Sequence, residues 1–434
     1  MNKTTDWPFL VWFASVSAAA GVLFAFWFSG TSTYRLVHEG LAGAWNNILL
    51  PQFRDPGNFE FYFKAKRFDG EGVLQAKAGV SDGAIVYSDA SGPTAYLINN
   101  RGELLHHWHV PFRTVWPEPA HIEFPVPDNQ VIFRKALLQH GGALLVLFEA
   151  PGHWPYAYGL AKINRDSEVL WTYAQQAHHD VLLTPDGDII TLLHETRPLP
   201  IEGLDDYAGH TIIDDVIVVL DHTGREKKRV SIIDAILNSR YPGLLYADGQ
   251  SKDALHTNSV DWVTSAVASA LPMLKTGQIL VSMKAKSALG VVDLERGELV
   301  WAHRGGWRQQ HAARFLGGRR IGLFDNEGHI GEGGYSRIVE FDALTGAQLW
   351  SFGGHADLEI ESRWRGSYQA FDNGNRLITE SDAGRLLELS KDNEVVWEYV
   401  APSEVEDKSP AVFWARRYSW NELKALNFAP SQSN

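Results

Sequence analysis

The sequence predicts an all-β chain, a six-bladed β-propeller preceded by one N-terminal transmembrane helix. Three observations carry that expectation: 22 uncharged residues from Trp7 to Phe28, a hairpin signal repeated six times, and a second strand entered through a polar turn before most copies. Of 434 residues, 45% are hydrophobic and 21% charged, which is too apolar for a disordered chain. Acidic residues outnumber Lys plus Arg by 52 to 39, for a formal charge of −13, and no basic patch stands out. No nucleic-acid partner is therefore expected. Without a single Cys there is no disulfide framework, thiol nucleophile or Cys-ligated metal.

The N-terminal run reads WPFLVWFASVSAAAGVLFAFWF. A helix of that length spans the roughly 30 Å hydrocarbon core of a bilayer. Trp7, Phe9 and Trp12 at one end and Phe26, Trp27 and Phe28 at the other resemble interfacial belts. A cleaved signal peptide is the rival. Its best cleavage site, Ala18-Ala19-Ala20, sits inside the apolar segment rather than after it, so an uncleaved anchor over 1–29 is expected. Residues 30–81 read as a short N-terminal region, 82–400 as the propeller and 401–434 as a C-terminal extension.

The repeat unit is an apolar strand, a turn rich in Asp, Asn and Gly, and a second strand often ending in Trp. It appears at Tyr96 to Val110, Ala161 to Tyr173, Val218 to Val230, Gly290 to His303, Val339 to Phe352 and Leu387 to Val400. Copies lie about 48 to about 72 residues apart, a period that suits four-stranded blades with insertions. Alternating apolar residues around an Asx/Gly turn are a hairpin signal. The second element recurs at Leu137 to Glu149, Leu182 to Glu195, Lys275 to Lys286 and Phe371 to Ser381. Strand, turn, strand and hairpin make one blade, and six blades close a ring with only short edges. A β-sandwich with added strands is the alternative, and six regular copies argue against it.

Function must come from residues facing the central channel, because the architecture hosts scaffolds and enzymes alike. In HHDVLLTPDGDII, His179 precedes Gly187 by eight residues; in QQHAARFLGGRR, His311 precedes Arg319 by eight. The intervening blade reads LHTNSVDW and puts His256 on a comparable strand. Three imidazoles are thus expected to point at one channel. A His metal site is the natural rival, but HExxH spacing and an acidic cluster are missing, so no metal is expected. The cluster His106-His107-Trp108-His109 falls on the outer hairpin of the first blade, with His107 and His109 on one face, and reads as surface or interblade residues.

At these residues the sequence resembles the bacterial arylsulfotransferases that do not use the nucleotide donor PAPS. The resemblance rests on HHDVLLTPDGDII, DALHTNSVDWV, ILVSMKAKSALGVVDLERGELVWAHRGG, RQQHAARFLGGRRIGLFDNEG and YSRIVEFDALTGAQLW, in that order. It implies that His311 takes up the sulfuryl group, that His256 and Asn258 match the family's His-x-Asn-Ser motif, and that His178 or His179 matches its His-His-Asp segment, with the repeat alignment favouring His179. It also implies an aryl sulfate donor, a phenolic or other hydroxyl acceptor, and no cofactor. One departure stands out. Where the family has Arg in Ser-Ser-Arg-His, this chain has Lys284 in Ser282-Met283-Lys284-Ala285. Lysine keeps the charge but loses the planar fork that grips two oxygens, and Lys286 or Arg314 is expected to compensate. PAPS independence and the anchor together imply a single-pass protein with its propeller on the periplasmic, extracytoplasmic side.

Other classes remain open from the sequence. A noncatalytic, membrane-tethered propeller binding an envelope partner is the main alternative. A quinone-dependent dehydrogenase is disfavoured by six blades rather than eight, and a metal-dependent lactonase by His and Lys where carboxylates are needed.

Overall fold

The computed structural model of the chain describes residues 62–152, 156–204, 211–246, 252–327, 336–353 and 360–428. The expected anchor, from Trp7 to Phe28, lies outside them. Among the described residues no helix is long and apolar enough to cross a membrane.

Within the described residues, six antiparallel sheets form the blades of a propeller. Blade 2 runs Ile132–Leu138, Leu144–Glu149, Ala157–Ile163 and Val169–Tyr173, from inner to outer strand. Blades 3, 4 and 5 repeat the meander, with inner strands Ala177–Leu183, Thr257–Trp262 and His311–Phe315. Blade 6 starts at Ser367–Ala370 and carries a fifth, outermost strand, Gly72–Ala76, paired with Val395–Val400. Five of the six predicted hairpins are the outer pair of a blade, and the sixth, Leu387 to Val400, is covered by this added strand.

Blade 1 is built from both ends of the ring. Its inner strand is Val412–Tyr418, which pairs with Ala84–Asp89 in the register Ala415↔Tyr87. The inner strands of successive blades touch all the way round, with Val412–Tyr418 meeting both Ser367–Ala370 and Ile132–Leu138. The ring therefore uses two strands that lie outside the 82–400 span expected from the repeats. Neither belongs to a hairpin with the Asx/Gly turn that marked the other copies.

The recurrent Trp residues explain the cohesion between blades. Trp108 donates its indole N–H to the Gly142 carbonyl of blade 2 at 2.9 Å, and Trp397 of blade 6 to the Asn100 carbonyl of blade 1 at 2.8 Å. Trp171 lies flat against Gly224, at φ +82°, where a Cβ would come within 2.6 Å of the indole. Each of these indoles thus covers apolar area on a neighbouring turn, and those of Trp108 and Trp397 also donate to a carbonyl there. His107 and His109 are exposed on the outer strand Leu104–His109, as alternation requires.

Candidate active site

The inner strands are irregular at the entry end, and the irregularity sets the site. The pairing of Ala177–Leu183 shifts between His178 and Val181, that of Thr257–Trp262 between Thr257 and Val260, and that of His311–Phe315 between His311 and Arg314. His179 (φ 55°), His256 (φ 47°), Gln309 (φ 54°) and Ala312 (φ 52°) adopt left-handed backbone that L-residues seldom take. Bulges of this kind re-aim side chains at the rims of closed β structures.

The eight-residue offset is real, since Thr184 and Asp188 close one turn as Leu316 and Arg320 close the other. Blade 3, however, bulges by one residue more. His178 therefore pairs with Leu192 where His311 pairs with Phe324. His178 turns inward with no exposed surface, while His179 lines a cavity of about 660 Å³ together with Asn258, His311, Arg134 and Arg314.

His311 is buried, and its Nδ1 lies 2.7 Å from the Asn326 side-chain oxygen and 3.0 Å from the Gln309 carbonyl. The Asn326 amide nitrogen donates to the Ser362 and Arg365 carbonyls, both at 2.6 Å. Those two acceptors fix the amide with its oxygen towards His311, so both neighbours of Nδ1 are acceptors. Nδ1 carries the proton, and Nε2 holds the lone pair. Burial pushes the imidazole well below its ordinary pKa, and the nearby Lys284 and Arg134 cations push it further, against the Asn326 hydrogen bond. The ring is neutral at pH 7.

His256 is oriented by a carboxylate. Its Nδ1 is 2.5 Å from Asp253 Oδ2, and its backbone N–H donates to Asp253 Oδ1 at 3.0 Å. Burial raises the Asp253 carboxyl, but the His256 ring, its hydrogen bond and the rings of His194 and His178 outweigh that and hold it below the usual carboxylate range. The His179 and His256 rings meet edge to face at 5.0 Å, with Tyr156 against both. His179 donates its backbone N–H to Glu149 at 2.7 Å, and Glu149 also holds Arg134 Nε at 3.4 Å.

Lys284 opens a short turn after the strand Ile279–Met283, with its ammonium 5.8 Å from the Trp364 ring. Burial lowers its pKa, partly offset by Asp253 and Glu327. Its expected deputies are engaged elsewhere. Lys286 is buried with Nζ 3.2 Å from the Leu245 carbonyl, in the connection before blade 4. Arg314 is bound to Asp180 at 2.7 Å and to the carbonyls of Val260 and Ala313. Asn258 donates to the Gln310 carbonyl at 2.7 Å and so props the residue before His311.

Sequence reasoning missed four residues. Arg134 and Arg365 are buried guanidiniums; the first acts on both His179 and His311, and the two act on each other. Two cations inside the apolar strand IFRKALL were a legible warning. Asp253 stands three residues before His256 and could have been read as its orienting acid. Asn326 gave no signal, because its role depends on a blade-5 strand meeting the blade-6 entry loop.

A family model described as Arylsulfotransferase (ASST) matches residues 122–402, well over half of the chain. No curated protein matches it. Among solved structures it is similar to a protein of unknown function from Bacteroides caccae, at 13% identity over 76% of this chain and 99% of that one, with a TM-score of 0.47. A virginiamycin B lyase from Staphylococcus aureus aligns at 11% identity over 80% of this chain and 89% of that one, with a TM-score of 0.40. The WD40 propeller domain of Doa1 aligns at 11% over 79% and 87%, with a TM-score of 0.39.

Proposed function

The chain belongs to the arylsulfotransferase family, and from that premise we propose that it transfers a sulfuryl group from an aryl sulfate to a phenolic or other hydroxyl acceptor through His311 Nε2. The observation that carries this reading is the Asn326 contact, which leaves Nε2 unprotonated at neutral pH in a buried, cation-lined site.

In the first half-reaction the Nε2 lone pair forms an N–S bond while the donor S–O bond breaks. The departing phenolate oxygen takes a proton from His256, whose cationic form is balanced by Asp253. In the second half the acceptor hydroxyl gives its proton back to His256, its oxygen bonds to sulfur, and the N–S pair returns to Nε2. Lys284 and Arg134 stabilise charge on the sulfuryl oxygens, with Arg134 supplying the planar fork that Lys284 lacks. Asn258 acts through Gln310. His179 faces the same cavity and hydrogen-bonds substrate oxygen.

The test is incubation with a chromogenic aryl sulfate, first without acceptor. A burst of phenol equal to the enzyme, and one added sulfuryl group on the peptide containing Gln309-Gln310-His311-Ala312, are expected. Lys284 at the family's arginine position favours a second reading, a noncatalytic scaffold for an envelope partner. A chain inert to every aryl sulfate, with its stability unchanged in His311→Asn, would support that reading instead.

The family's independence from PAPS fits an extracytoplasmic site, and the uncharged run from Trp7 to Phe28 fits a single-pass anchor holding the propeller there. Intact mass of membrane-extracted protein is expected to begin at Met1 or Asn2. A mature N-terminus beyond residue 18 overturns the anchor and leaves the propeller chemistry untouched.

A further inference from the structure

Behind His179, and outside the cavity that reaches His311, lies a second cluster of polar side chains. His178 and Asp215 have no exposed surface and His194 only 5%. His178 comes from the inner strand of blade 3, His194 from its second strand Ile189–Pro198, and Asp215 from its third strand Thr211–Leu220. His194 and Asp215 face each other in register. The extra bulge residue of the inner strand is what brings His178 over them.

The separations are unusual for a hydrogen-bonded group. Asp215 Oδ1 is 3.5 Å from His178 Nε2 and 3.6 Å from His194 Nε2. Both distances are too long for a hydrogen bond. Asp215 Oδ2 accepts the Thr257 backbone N–H at 2.6 Å, whereas neither Oδ1 nor His178 Nε2 has a hydrogen-bond partner among the described residues. A fully buried carboxylate oxygen and imidazole nitrogen this close, with nothing donated to either, are costly unless something joins them, and the stacked His178 and His194 rings, 3.7 Å apart, would turn to converge on it. Ligand atoms on a tetrahedral zinc ion stand about 3.4 Å apart, given metal–ligand bonds of about 2.0–2.2 Å. The three potential ligand atoms of this cluster all lie within 4.8 Å of one another.

We infer that His178, His194 and Asp215 form a binding site for one divalent transition-metal ion, with Zn²⁺ as the best match. Two imidazoles and one carboxylate are the borderline-soft donor set that zinc takes, and they leave a further position beside the Tyr156 hydroxyl, which is 3.1 Å from His194 Nε2. The site lies apart from the channel histidines for which the sequence predicts no metal. The ligands come from three adjacent strands of one blade, so no short sequence spacing records them.

The site has a consequence for the channel, and this part rests on the sulfuryl-transfer reading. His178 Nδ1 is 2.8 Å from His179 Nδ1. With its Nε2 on the ion, His178 keeps its proton on Nδ1 and donates it to His179. His179 then accepts on Nδ1 and carries its own proton on Nε2, which makes it a hydrogen-bond donor to substrate oxygen. The ion thus acts as a positioning group for His179, in the way that outer partners fix the tautomer of a metal-bound histidine.

The experiment is elemental analysis of untagged full-length protein purified without chelator, before and after loading with ZnCl₂ and gel filtration. About one equivalent per chain is expected, together with a higher melting temperature that falls on treatment with dipicolinate and returns with ZnCl₂. Asp215→Asn and His194→Ala are each expected to weaken zinc binding at least about 10-fold, while His256→Asn keeps the metal and loses only transfer. If a variant fails to fold, cobalt substitution of the wild type reads the ligands directly, through the visible bands of a four-coordinate ion and shifted imidazole proton resonances. A wild type that retains no metal after loading and shows no change in melting temperature overturns the inference. So does metal retained undiminished in both ligand variants. A metal-loaded chain without sulfuryl transfer leaves this site standing and removes only the proposed function.

Discussion

His311 Nδ1 lies 2.7 Å from the side-chain oxygen of Asn326, whose amide nitrogen is itself tied to two carbonyls at 2.6 Å. The carbonyls of Ser362 and Arg365 thereby decide which nitrogen of His311 holds the lone pair, the one that attacks sulfur on the proposed reading. An aspartate in place of Asn326 cannot donate to them, and it favours a protonated imidazole. Asn326→Asp is expected to move the acid limb of the burst-rate profile to higher pH. Asn326→Ala should slow the burst by about 10²-fold at pH 7, near the lower end for losing a positioned acid–base partner. Stopped-flow release of nitrophenol measures both; an unmoved profile in Asn326→Asp would remove Asn326 from the mechanism.

Lys284 acts on His311 through space, and on the proposed reading it also stabilises the sulfuryl oxygens. Lys284→Ala should lower turnover by about 10²-fold, the scale for one lost oxyanion donor. It should also raise the His311 pKa, so that the acid limb of the burst-rate profile moves to higher pH than in the wild type. Lys284→Arg should maintain or raise turnover.

Arg134 is the nearer guanidinium on this reading, and Arg134→Lys separates fork from charge. Steady-state kinetics are expected to show roughly 10-fold lower kcat/KM for the sulfate donor, the value of about one bidentate contact. Equal kinetics in the lysine variant would assign the fork to Arg365 instead.

Asp253 should matter most when the leaving group is poor. Asp253→Asn removes the carboxylate that balances a protonated His256, as an orienting acid does in other histidine-based sites. The loss is expected to be small for nitrophenyl sulfate, which needs little protonation, and at least about 10²-fold for an unactivated phenyl sulfate. A steeper dependence of rate on phenol pKa is the readout. Parallel losses across all donors would place Asp253 in folding alone.

Acid stability follows from the depressed pKa of His311. Above about pH 6.5 both folded and unfolded forms leave this ring neutral, and it adds no pH dependence. As pH falls below 6.5 the unfolded chain takes a proton that the folded one refuses, so stability drops until the folded pKa is reached. The limiting slope is about 1.4 kcal/mol per pH unit for one group. Urea melts between pH 7 and 5 should show His311→Asn losing less stability than the wild type over that window.

Much of this protein was written in its sequence. Each outer hairpin was legible from alternation around an Asx/Gly turn, because period-two burial and turn chemistry are local properties. The repeat count then implied the ring, and the offsets of His179 and His311 from their turns implied a shared channel. The sequence also flagged Lys284 as a departure, since the family arginine it replaces sits in a short contiguous stretch.

Tertiary structure decided the rest, wherever partners come from strands distant in the chain. Closure by Val412–Tyr418 had no turn signal, because its partner Ala84–Asp89 lies more than three hundred residues earlier. Lys286 and Arg314 looked like spare cations, but the Leu245 carbonyl and Asp180 engage them. Arg134, Asn326 and Asp215 meet their partners only where strands and loops distant in the chain come together. A bulge shifts register by one residue, and that single step sends His178 to Asp215 and His179 to the channel. Sequence periodicity fixes which face a side chain takes on a regular strand; where the strand is irregular, only the fold determines what it meets.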